Sequence, residues 1–192
     1  MRVKIEVVGS HVHLTQDDLE KLFGASYKLT QERELAHEIE FISTAKVTLV
    51  GLKEALPQIP VWGPSVSVTQ IEVALTDSYR LGISAPMRLS GKIQCSGSIT
   101  LVGPKGSISL KKGLIVPKRH LHINPEMARA WKLRDNQNVN ISVDSERGVT
   151  FHKVEVRIQE GAKPVVHLDR NEGNAVWVLE MTDEGTVINN ET

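Results

Sequence analysis

Apolar positions along this chain alternate with polar ones more often than they recur at helical spacing, and the signal is mostly that of β-strands. Alternation or short apolar runs occupy 3–8, 46–50, 71–75, 98–102, 107–110, 139–143 and 153–158, and each predicts a strand. Glycine and proline punctuate them at Gly63-Pro64, Gly91, Gly103-Pro104, Gly113 and Gly161. Gly103-Pro104-Lys105-Gly106, between two strands, has the residues of a hairpin turn. Helical signals are fewer. Thr15 caps a helix over 16–23, with Asp18 in a capping-box-like position and Gly24 at the stop. Asn124 before Pro125 opens a second helix through Trp131, and a third turn covers 76–81 and stops at Gly82. Many short strands with few short helices predict β-barrels or sandwiches.

The chain repeats itself. His11-Val12-His13-Leu14-Thr15 is answered by His120-Leu121-His122-Ile123-Asn124: His-x-His, an aliphatic residue, then a helix cap. Leu19 and Leu22 follow the first cap at the same spacing as Ala128 and Trp131 follow the second. A shorter echo, VTLVG at 47–51 and ITLVG at 99–103, lies between the two histidine pairs. Two related, intertwined β units are expected.

On a strand, residues i and i+2 face the same way, so both imidazoles of a His-x-His can reach one metal ion; on a helix they would diverge. Each pair stands where a strand enters a helix, which suggests a barrel mouth. Imidazole suits zinc and its borderline neighbours, and a catalytic zinc takes three protein ligands and keeps a position open. A cupin also uses His-x-His, but it places a glutamate about four residues later, where this chain has Asp17 inside the helix. The third ligand must come from elsewhere. His167, in the run Val165-Val166-His167-Leu168-Asp169, and Glu72, in Thr69-Gln70-Ile71-Glu72-Val73, are both candidates, and spacing does not choose between them. His37, in the charged stretch QERELAHEIE, and His152 read as surface histidines.

Composition narrows the rest. The 192 residues carry 23 Lys+Arg against 23 Asp+Glu, so the basic footprint of a general nucleic-acid binder is missing. No apolar run is long enough to cross a bilayer, and the alternating MRVKIEVV is not a signal peptide. Cys95, the single cysteine, forms no intrachain disulfide, lacks an evident paired base and is expected to be a small buried thiol. Trp62, Trp131 and Trp177 are expected to anchor cores. The acidic, polar stretch 183–192 is expected to be a flexible tail.

HVHLTQDDLEKLFG, TQIEVALTDSYRLGISAPMR, ITLVGPKGSISLKKGLIVPKRHLH and HLDRNEGNA together resemble the PduL-type phosphate propanoyltransferases, bacterial phosphotransacylases. The resemblance implies two antiparallel β-barrels from an internal duplication, capped by short helices. One barrel would take 1–9 and 118–182, the other 10–117 with an inserted segment near 24–44. It implies reversible exchange of coenzyme A for phosphate on a short acyl chain (propanoyl or acetyl), without an acyl-enzyme, in a cytoplasmic homodimer. Because the chain opens on its first strand, the free cytoplasm is expected and not a microcompartment reached through an N-terminal targeting extension. By motif, one zinc site falls on His11, His13 and Glu72, and a second on His120, His122 and His167. Arg88 and Arg119 match family positions for phosphate handling and are the implied catalytic residues, with Lys118 and Lys105 as nearby substrate-binding charge. Gly9-Ser10 and Val66 stand where the family carries Asn-Arg and an arginine, and Leu75 replaces a further arginine. These replacements keep two alternatives open: a non-catalytic metal- and CoA-binding paralogue, and a metal-dependent thioester hydrolase.

Overall fold

The computed structural model describes residues 1–188. Its first half runs β1 (Arg2–Val8), β2 (His11–His13), α1 (Gln16–Phe23), β3 (Gln31–Glu34), β4 (Phe41–Val50), β5 (Ala55–Gly63), β6 (Gln70–Glu72), α2 (Leu75–Leu81) and β7 (Met87–Arg88). There follow β8 (Gly97–Val102), β9 (Ser107–Pro117), β10 (His120–Ile123), α3 (Pro125–Ala130), β11 (Asn138–Val143), β12 (Val149–Ile158), β13 (Val165–Asp169), α4 (Arg170–Ala175) and β14 (Met181–Ile188).

The chain forms two compact units, each with its own core. In the first, β1-β13-β10-β12-β11-β14 close into a six-stranded barrel. In the second, β4-β5-β2-β6-β9-β8 close in the same way, because β8 pairs with both β9 and β4. The β3 and β7 strands hang on the outside of that ring. The expected mainly β, double-barrel architecture is present. Pairing is mixed, however, and not antiparallel throughout. The β2–β5 and β6–β9 pairs are parallel in one barrel, as are β10–β12 and β13–β1 in the other.

That mixture exposes the duplication. Matching β2, β4, β5, β6, β8 and β9 to β10, β11, β12, β13, β14 and β1 reproduces every neighbour and every strand direction. The two barrels therefore share one topology, circularly permuted so that the strand ending one copy opens the chain of the other. The VTLVG and ITLVG echo is no part of this correspondence. Those segments lie in β4 and β8, neighbours in one barrel with Leu49 opposite Leu101.

Local chemistry explains the element ends. The Thr15 hydroxyl accepts the Asp18 N–H, and the Asn124 amide oxygen accepts the Met127 N–H, so both predicted caps form. The strand expected over 71–75 stops at Glu72, and α2 follows. Its cap residue, Ala74, has no side-chain acceptor of its own; Gly82 closes the helix at φ +70. After β13, Asp169 and Glu172 form a capping box. Gly173 lets α4 lie close to β1, because a Cβ there would stand 2.6 Å from the Val7 methyls.

Further expectations about individual segments need correction. Leu35–Ile39, taken from inside the inserted segment, belongs with the first unit and not with the rest of 10–117. The stretch expected to be a tail from 183 forms the end of β14 as far as Ile188, where it closes the first barrel; 189–192 lie outside the described residues. Cys95 is exposed on a turn at φ +55. Trp62 is buried and Trp131 packs on the first core, but Trp177 is 65% exposed.

Candidate functional site

Strand alternation sets the geometry. Val12 and Leu14 enter the core of the second barrel, so His11 and His13 face outward; Leu121 and Ile123 do the same for His120 and His122 in the first. The histidines thus lie on outer barrel faces and not at a mouth, yet all four are buried. Register supplies the third member. Glu72 on β6 stands directly opposite His11, and His167 on β13 stands directly opposite His120. The two candidates that spacing left open occupy the same position in the two copies.

In the second barrel, ligand-capable atoms of His11, His13 and Glu72 all lie within 4.8 Å of one another. Neighbouring side chains hold them. The Gln70 amide donates to Glu72 Oε1 (2.9 Å), and the Trp62 indole stacks on His11 at 3.5 Å and 9°. Glu40 Oε1 stands 3.7 Å from His13 Nδ1. Gln70 also donates to Ser90 Oγ and accepts the Gly91 N–H, so it ties the Glu72 carboxylate to the segment after β7. Sequence reasoning missed Gln70, Glu40 and the stacking role of Trp62. For Gln70, two residues before Glu72 on the same strand face, alternation was an available signal.

The first barrel gathers four histidines. His120 Nδ1 faces the Lys118 carbonyl oxygen (2.8 Å), and His122 Nδ1 faces Gln159 Oε1 (2.5 Å). The Lys118 carbonyl only accepts, so His120 Nδ1 carries the proton and its Nε2 presents a lone pair; the Gln159 amide oxygen sets His122 the same way. Those Nε2 atoms are 2.9 Å apart. Two lone pairs at that distance repel unless a proton or a metal ion lies between them. Burial, then the charges of His120, His167 and His37, hold His122 well below its ordinary pKa, so the neutral imidazole that a metal needs is favoured. A divalent metal fits this donor set. His167 Nε2 donates to Glu6 Oε2 (3.0 Å), which leaves the Nδ1 lone pair as the one that could ligate.

Glu6 itself is 3% exposed. Burial raises its carboxyl, but the hydrogen bond and charge of His167, with the Ala36 N–H, outweigh that and hold it below the ordinary value. Glu6 pairs with His167 at the register where Ile115 pairs with Glu72 in the other copy. Each triad therefore has one buried carboxylate: a member in one barrel, behind a member in the other. The fourth histidine, His37, corrects an expectation. It is 0% exposed, with its ring centroid 4.3 Å from His122 and 5.0 Å from His167. His152 is exposed, as expected.

The charged candidates are more scattered. The Arg119 Nε–H donates toward Glu172 Oε1 (3.2 Å), and its guanidinium lies over Phe151 at 5.2 Å. Burial pushes Glu172 up to about 6 against the pull of Arg119. Lys118 stands 3.6 Å from Glu155. Arg88 lies on β7 opposite Pro117 and donates to the Met87 carbonyl. Lys105 is exposed on the hairpin turn after β8, held to the C-terminal end of α1 by its N–H bond to Leu22 O, at the opposite end of that helix from β2. Ser10 fills its site differently from an arginine: its hydroxyl donates to Asp77 Oδ2 (2.6 Å) and accepts the Ala74 N–H (3.2 Å), tying the start of α2 to the segment before β2.

A family profile described as phosphate propanoyltransferase matches residues 4–179. A phosphate propanoyltransferase of Lachnoclostridium phytofermentans is 40% identical over 177 residues, covering 92% of this chain and 83% of its own. That of Priestia megaterium is 42% identical over 173 residues (90% and 80%), and that of Thermotoga maritima 37% over 175 residues (91% and 83%).

Proposed function

This chain belongs to the phosphate propanoyltransferase family, and we propose that it interconverts acyl-CoA plus phosphate with acyl phosphate plus free CoA, on a short acyl chain such as propanoyl or acetyl. One observation carries the metal-dependent form of this reading: buried His and Glu ligand atoms gather within 4.8 Å of one another in each barrel, with His120 Nε2 and His122 Nε2 2.9 Å apart. In this reading His11, His13 and Glu72 hold one divalent ion, and His120, His122 and His167 hold the other. Zinc suits both donor sets and, when bound, supplies Lewis-acid charge for a thiolate and for a phosphate.

The exchange balances without an acyl-enzyme. A phosphate oxygen attacks the thioester carbonyl carbon, the C–S bond breaks, and CoA leaves as its thiolate. Cys95, exposed and outside both triads, has no part in it. The residues of the chain do the positioning. Gln70 and Trp62 fix Glu72 and His11, while the Lys118 carbonyl, Gln159 and Glu6 fix the tautomers of His120, His122 and His167. Arg119, oriented by Glu172 and Phe151, and Arg88 supply cationic forks for phosphate; Lys118 and Lys105 supply charge for the remainder of the substrate.

The test is CoA release from propanoyl-CoA and acetyl-CoA by purified protein, with and without phosphate. Release that requires phosphate and yields acyl phosphate is expected. Phosphate-independent release, or none from metal-loaded protein, would sink the reading.

A further inference from the structure

Four imidazoles gather on the outer face of the first barrel, one more than a three-ligand site requires. The additional one, His37, arrives from far away in the fold. Leu35–Ile39 leaves the strands of the second barrel, joins the first unit, and is pinned there at several points. The Ala36 N–H donates to Glu6 Oε2, the same oxygen that takes His167. The Lys163 N–H donates to the His37 carbonyl, and Glu38 pairs with the Lys163 ammonium. A turn bond from the Glu38 N–H to Leu35 O, with Glu38 at φ +63, presents the ring between them. A void on this face could be filled by an aliphatic side chain at no desolvation cost; a buried imidazole brings two polar nitrogens that must be satisfied.

The tautomer decides what His37 does there. The Ile39 backbone N–H donates to His37 Nδ1 (3.2 Å), so Nδ1 holds a lone pair and the ring proton of the neutral imidazole sits on Nε2. That is the reverse of His120 and His122, whose Nδ1 atoms donate. A ring nitrogen that carries a proton is a donor and cannot ligate a cation. One nitrogen each of His37, His122 and His167 nevertheless lie within 4.8 Å of one another, near enough to share a small ligand.

We propose that His37 is an Nε2–H donor to an oxygen of the phosphate bound at this site, and that His120, His122 and His167 alone are its metal ligands. The proposal rests on the acyl-transfer reading given above. A fixed neutral donor in a buried site stabilises an anion without bringing a mobile charge, and it orients the oxygen it holds.

Three full-length proteins test it: the wild type, His37→Leu and His37→Gln, the last keeping an N–H near the Nε2 position. Each is loaded with cobalt(II), its metal content measured and its visible spectrum titrated with inorganic phosphate. The variants are expected to retain the wild-type metal content and band intensity. His37→Leu should bind phosphate about tenfold more weakly or worse, and His37→Gln should recover part of that loss. Nitrogen-15 spectra of labelled histidine should place His37 in the Nε2–H form, as His167 is through its bond to Glu6, and His120 and His122 in the Nδ1–H form. Loss of a metal equivalent or a changed band intensity in His37→Leu would make His37 a ligand and overturn the proposal. Full metal and unchanged phosphate affinity in His37→Leu would reduce it to packing. A wild type whose spectrum ignores phosphate and which shows no phosphate-dependent CoA release would overturn the acyl-transfer reading as well, which separates the two failures.

Discussion

Replacing Glu6 with glutamine isolates the carboxylate that stands behind His167. The glutamate oxygen Oε2 takes two hydrogen bonds, from His167 Nε2 at 3.0 Å and from the Ala36 N–H at 3.1 Å, in a 3% exposed setting. Glutamine keeps the shape and one acceptor oxygen but removes the negative charge that stands behind the His167 ring. Loss of such an outer partner costs about 10–100-fold in metal affinity, or about 1.4–2.8 kcal/mol. The measurement needs one site at a time, so Glu6→Gln is placed in a His11→Ala/His13→Ala background and cobalt(II) is titrated against a chelator of known affinity. A drop of at least tenfold is expected for the remaining site. Acid unfolding gives an independent reading. The Glu6 carboxyl is held below its ordinary value of 4.5, so it adds stability that is present above 4.5 and is lost as pH falls through its lower folded value. The metal-free stability difference between wild type and Glu6→Gln should therefore shrink toward low pH. Unchanged cobalt affinity in a folded Glu6→Gln protein would refute the assignment of Glu6 as the partner that tunes His167.

Glu172 behaves in the opposite sense: burial pushes its carboxyl from 4.5 to about 6, so the folded state binds that proton more tightly. Stability should rise by up to about 2 kcal/mol as pH falls from 6 to 4.5, and Glu172→Gln should flatten that segment of a urea-unfolding series against pH. Ser10→Ala strips a buried donor from Asp77 and the acceptor for the Ala74 N–H; a loss of about 1–3 kcal/mol is expected in denaturant titration. Val66→Arg, on the half-buried loop after β5, restores an arginine fork where the resembling family has one; kcat/KM for phosphate should rise about tenfold, or about 1.4 kcal/mol, in the CoA-release assay.

Much of the site was legible because local signals point the same way. Period two puts both imidazoles of each His-x-His on one strand face, and Thr15 and Asn124 mark where each strand turns into a helix. Those features depend on residues a few positions apart, and a one-dimensional pattern records them. The matching helix faces behind the two caps revealed the duplication for the same reason. The VTLVG echo misled in turn, because a run of five β-formers describes any strand and says nothing about which barrel position it fills.

Tertiary structure decided the rest. Glu72 and His167 look unrelated in the chain, and only the antiparallel register of β6 on β2 and of β13 on β10 shows that they stand at one equivalent position. Glu6 reaches His167 across 161 residues through a parallel pair that no local pattern encodes. His37 is the clearest case. Its neighbours Glu32, Arg33, Glu34, Glu38 and Glu40 describe a solvated segment, yet the ring has no exposed surface. Periodicity tells which face of a strand a side chain takes. Which strand comes alongside, at what register, and which loop folds over the face are set by packing among residues far apart in sequence, and there the linear pattern carries no information.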